Sequence, residues 1–204
     1  MKLMQLRIAI LFVAVGTVAF ADSVVVPNPQ ATAAGNSPLK IGANPSRIQE
    51  AVGTGQLGQF TGPVMITALR LRSFPGSGPV NFTLPSLKVT MSTTQAYPNT
   101  NNGHTLPSAT YANNVGPDAT VVHNSALTAS SPGCAGPTPC PFDMVISFTA
   151  PFPYDVSKGR LLIDVVTSAP TGAFGGQLDA VAFRTALAVM WRSLSEIPPH
   201  KQAR

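Results

Sequence analysis

Charge is what this chain has least of. Asp, Glu, Lys and Arg together make up 10% of its 204 residues, against about 25% in an average soluble domain. The formal net charge of +5 points to a polyanion binder only until the charges are placed. Lys2 and Arg7 lie at the start of the chain, and Arg184, Arg192, Lys201 and Arg204 lie at its end. From Asp22 to Phe183 there remain seven basic and seven acidic residues. That stretch is neutral and lacks the electrostatic footprint of a nucleic-acid binder.

Signatures of chemistry are missing as well. There is no G-x-S-x-G, no H-E-x-x-H and no D-x-D calcium loop, which removes the usual hydrolase and metal motifs. His104 sits in a polar loop with turn chemistry at Asn102-Gly103, His123 in a strand-like run and His200 near the end. No ligand spacing links them, so no metal and no cofactor is expected. Asp118, after Val-Gly-Pro, and Asp155, after Pro-Tyr, read as turn residues. Seven acids still leave room for a paired-carboxylate glycosidase, because such pairs are assembled in space.

Cysteine is limited to Cys134 and Cys140, which enclose Ala-Gly-Pro-Thr-Pro. A pair this close in an exported chain reads as a disulfide stapling a surface loop, contributing roughly 2 kcal/mol at most for so small a ring. An apolar run of membrane-spanning length is absent too. The longest, Ile8 to Phe20, falls short of the ~20 residues a spanning helix needs. Preceded by Met1-Lys-Leu-Met-Gln-Leu-Arg and ending in Ala19-Phe20-Ala21 before Asp22, it reads as a secretory signal cleaved after Ala21.

What is present is turn chemistry and alternation. The 17 Gly and 20 Pro separate short apolar runs, as in an all-β domain. Residues 22–40, rich in Pro, Asn, Ala and Gly, read as a flexible, loosely held lead-in. The run Pro63 to Phe74 alternates Leu69 and Leu71 with Arg70 and Arg72, which points the leucines inward and both guanidiniums outward. Leu87, Val89 and Met91 alternate with Lys88, Thr90 and Ser92, while Phe142, Met144, Ile146 and Phe148 alternate with Asp143, Ser147 and Thr149. Residues 119–129 form a less amphipathic strand. Leu161 to Val166, apolar but for Asp164, belongs at a sheet centre. Pro85, Pro151 and Pro153 belong at strand ends or edges. With Arg47–Val52 and Leu178–Phe183 as flanking strands, 41–183 is an antiparallel two-sheet β-sandwich, jelly-roll-like, of about seven or eight strands.

Several phrases together carry a resemblance: Ser46-Arg-Ile-Gln-Glu50, Val89-Thr-Met-Ser-Thr-Thr94, the run from Thr110 to Val122, Pro141 to Tyr154, and Gly159-Arg-Leu-Leu-Ile-Asp-Val165. Over roughly Lys40 to Phe183 the chain resembles the ectodomain of bacterial PEP-CTERM proteins, which are exported, sorted by exosortase and linked with surface or exopolysaccharide layers. The Pro-Glu-Pro motif, apolar helix and basic cluster that end such proteins do not occur in this sequence, so no anchoring is inherited. Phe183 to Ser193 breaks the alternation and holds the one Trp. Restoring one base after Phe183 yields a strand-like continuation of the kind this group shows. Residues 184–204 are therefore read as a suspect, frameshifted tail, a hypothesis that an intact frame in independent DNA reads would sink.

The resemblance implies a secreted, non-catalytic cell-surface or extracellular-matrix protein, with an extracellular polysaccharide as partner. Candidate sugar contacts are Tyr97, Tyr111 and Tyr154, all near polar loops, with Arg70 and Arg72 placed to meet an anionic chain. Tyrosines also cap sandwich edges, and a solvated strand face explains the arginines equally well. The alternative is a secreted hydrolase acting on polysaccharide, which would need two carboxylates or a His–Asp pair converging in a pocket.

Overall fold

In the computed structural model, residues 23–39, 44–95, 108, 110–171, 176–183, 186–188 and 194–197 are described, the ten from position 181 onward by backbone alone. The segment read as a secretory signal, Tyr97, His104 and His200 lie outside them. Among the described residues eleven strands form: β1 (Ser23–Val24), β2 (Ser37–Leu39), β3 (Ser46–Val52), β4 (Val64–Leu71), β5 (Val80–Thr94), β6 (Thr120–Ser131), β7 (Met144–Tyr154), β8 (Arg160–Thr167), β9 (Leu178–Phe183), β10 (Ala186–Ala188) and β11 (Leu194–Ile197). Among the described residues the only helices are short 3-10 turns.

The strands pair antiparallel in the orders β3-β8-β5-β6, β1-β11-β4-β7 and β10-β9-β2. A bridge from Ser73 to Leu178 ties the third sheet to the end of β4. From β3 to β8 the chain changes sheet at every connection except β5 to β6, so the expected two-sheet all-β sandwich is what forms. Leu84, Leu87, Val89, Met91, Leu161, Ile163 and Val165 of one sheet and Ile66, Leu69, Leu71, Met144, Ile146 and Phe152 of the other belong to one buried apolar cluster. Burial of that shared face is the main stabilising term.

The alternating runs became the strands they specify, and β8 sits between β3 and β5, at the sheet centre. Pro151 and Pro153 lie on β7, at the end of its sheet's strand order. Pro85 corrects the reading. It falls inside β5, a strand flanked on both sides, where the register with β6 jumps between Leu84 and Leu87 and the pairing with β8 starts only at Leu87. A bulge leaves a residue out of the ladder, so the missing N–H is accommodated there without a strand end.

The segment 22–40 is also corrected. Instead of a loosely held lead-in it supplies two core residues, Val24 and Val26, and the strand β2, which pairs with β9. The packed unit therefore begins before residue 41.

Candidate functional site

The outer face of the β3-β8-β5-β6 sheet carries the densest polar assembly. Residues alternate across the pleat, so Arg47 and Gln49 of β3 share that face with Asp164 of β8, and Gln49 lies directly opposite Asp164. Arg47 donates from Nε (3.0 Å) and Nη2 (2.6 Å) to the two oxygens of Asp164, while Gln49 Nε2 donates to Oδ2 at 3.0 Å. The bidentate pair raises the Arg47 pKa, the hydrogen bonding to the Asp164 carboxylate contributing most.

Residues 110–119 fold over this face. Tyr111 to Asn114 form a 3-10 turn in which Asn114 is fully buried, with Nδ2 donating to Gln49 Oε1 at 2.8 Å and to the Ser108 carbonyl at 2.9 Å. Gly116 N–H donates to Ser92 Oγ at 3.1 Å, and the Thr93 N–H donates to Asp118 at 2.7 Å. Asp118 is thus a turn acid that fastens the loop to β5. Above the cluster the Tyr111 ring is exposed, with the Arg47 guanidinium 4.6 Å from its centroid and its hydroxyl donating to the Arg47 carbonyl at 3.1 Å. These two contacts hold the ring in place, with little freedom left to lose on binding. Thr90, Lys88 and Val166 continue the same face in register.

Of the five residues singled out in the sequence, Tyr97 lies outside the described residues, and the other four are not brought together. Tyr111 lies on the face just described. Arg70 is half-buried on β4, opposite Val145, in the other sheet. Arg72 is not outward: its side chain is 1% exposed, and Nε donates to Asp179 at 2.7 Å. Its remaining nitrogens donate to the carbonyls of Gln30 (3.1 Å) and Ala33 (2.8 Å), and Phe142 stacks 4.8 Å from it. Asp179 in turn accepts the Gly35 N–H. Arg72 stands just past the end of β4, where β9 and the N-terminal segment cover the face that an isolated strand would leave wet. Tyr154 is buried too. Its hydroxyl donates to the Gly159 carbonyl at 2.8 Å, and burial, helped by Asp155, pushes its pKa up. Neither Arg72 nor Tyr154 can meet a ligand without unfolding its surroundings.

Cys134 and Cys140 form the expected disulfide, with a Cα separation of 5.9 Å. The carboxylates are dispersed into separate contacts: Asp164 with Arg47, Asp179 with Arg72, Asp143 with Ser131 at 2.7 Å, and Asp155 capping its own turn. The hydrogen bonds from the Ser157 hydroxyl and N–H hold Asp155 below the usual carboxylate range. Among the described residues, no group of three or more His, Cys, Asp and Glu could hold a metal ion, and no helix is long and apolar enough to cross a membrane.

The class these features define is an antiparallel β-sandwich with a disulfide-stapled loop and an aromatic, hydrogen-bonded patch on one sheet face. Comparison with family models, curated proteins and solved structures finds no match.

Proposed function

We propose that this is a secreted cell-surface or extracellular-matrix protein that binds polysaccharide through the outer face of the β3-β8-β5-β6 sheet. The exposed Tyr111 ring, fixed over Arg47 and its partners, is the observation that carries the reading. A sugar presents an apolar C–H face and a rim of hydroxyls. The ring offers the first an apolar platform, and Thr90 and Lys88 offer the second donors and acceptors in register. Because Arg47 is neutralised by Asp164, recognition rests on stacking and hydrogen bonds more than on net charge. The short basic and apolar N-terminus and the resemblance to PEP-CTERM ectodomains support the exported setting.

Glycan-array screening of the purified protein, with bacterial exopolysaccharides included, tests this directly. Specific binding that weakens at least tenfold in Tyr111→Ala, about 1.4 kcal/mol, with an unchanged melting temperature supports the face as the site. Absence of binding by well-folded protein overturns it.

A further inference from the structure

A second site lies away from that face, at the seam where β6 meets β7. His123 faces Val89 of β5 while its neighbour in the ladder, Thr90, faces Val121, so Val122 is one residue in excess on β6. Such a bulge re-aims side chains, and both Val122 and His123 are buried here. The bulge turns the imidazole towards β7, where Nδ1 lies 3.1 Å from the Ser147 carbonyl. A carbonyl can only accept, so in the neutral ring Nδ1 carries the proton and Nε2 keeps its lone pair. Nε2 lies 3.1 Å from the hydroxyl of Ser125, two residues along the same strand. Ser125 is itself exposed, and its other contact, with the Ala126 carbonyl, is longer at 3.4 Å.

A hydroxyl in reach of a base that a third group orients is the arrangement of an activated nucleophile. We propose that Ser125, with His123 as general base, is an acyl-accepting nucleophile towards activated carboxylic esters. Ser125 Oγ forms a bond to the carbonyl carbon as its proton passes to Nε2. The bond from that carbon to the leaving oxygen then breaks, and the alcohol departs with the proton from Nε2, leaving an acyl-serine. The Ser147 carbonyl supports the imidazolium through Nδ1–H, in the position that a carboxylate occupies in a triad. Of the charged residues on β5, Lys88 is the neighbour in register, paired with Asn124.

Treatment of the intact protein with a phosphonofluoridate reads this out without a known substrate. Oγ–P forms, P–F breaks, fluoride leaves and the hydroxyl proton goes through Nε2 to water. The expected result is a single adduct mapped to Ser125, absent in Ser125→Ala and in urea-unfolded protein. Loss of the base in His123→Gln should slow labelling on the order of 100-fold. The ratio of Ser125 labelling rates in folded and urea-unfolded wild-type protein, expected to be of similar size, decides the matter if the His123 variant does not fold. No adduct, an adduct elsewhere, or a Ser125 adduct formed as fast in unfolded protein or in folded His123→Gln overturns the proposal. Glycan binding by Tyr111 is independent of all these outcomes.

Discussion

Arg72 and Asp179 show how much can hang on one residue. Both side chains are at most 1% exposed, and the guanidinium joins β4, β9 and the N-terminal segment through three acceptors. Removing one partner of a buried pair strands the other. Arg72→Met should therefore cost about 3–5 kcal/mol in urea unfolding, whereas Arg70→Met, at a half-buried position on β4, should stay within about 0.5 kcal/mol. Tyr154 gives a pH signature. Its pKa is raised in the fold, so the stabilisation is fully present below the ordinary tyrosine value of about 10 and declines as pH climbs beyond it. Tyr154→Phe should cost about 1 kcal/mol at neutral pH for the lost hydrogen bond, and it should flatten the alkaline decline followed by thermal melts.

At the scale of elements, the loop over the sheet and the disulfide loop are fixed by different means. Gly116 lies so close to the Thr93 carbonyl that an added Cβ would collide with backbone. Gly116→Ala should lift residues 110–119 from β5, costing on the order of 1–3 kcal/mol and weakening glycan binding with the Tyr111 ring intact, as titration calorimetry would show. Gly133, at φ +85 with a Cβ position crowded by Gly78, closes the turn leading to Cys134. Reduction of Cys134–Cys140 should lower stability by roughly 2 kcal/mol at most, because the ring it closes is small and Cys134 is also held by backbone bonds to Ser77 and Gly76. Pro85 belongs at this scale too. From the sequence it could only be assigned to a strand end, since the bulge that accommodates it depends on where β6 and β8 register.

For the molecule as a whole, both sheets feed one apolar cluster, so unfolding by urea should be a single cooperative transition, coincident by near- and far-ultraviolet dichroism. Arg72→Met should move its midpoint without splitting it. The sequence by itself determined the all-β class, the inward set at Leu69, Leu71, Leu87, Val89, Met91, Met144 and Ile146, the central position of β8 and the disulfide. Each of these follows from a two-residue period or a short spacing, which local chemistry writes directly into the chain. It also marked Asp164, a lone carboxylate in an apolar strand, without naming its partners. Only the tertiary structure decided that Arg72 and Tyr154 are buried, that Tyr111 stands over Arg47, and that His123 turns towards Ser125. These contacts join residues from separate strands and loops, or hang on a single excess residue in a ladder. Their geometry is set by sheet register and by which segments cover a face, quantities that no local pattern encodes.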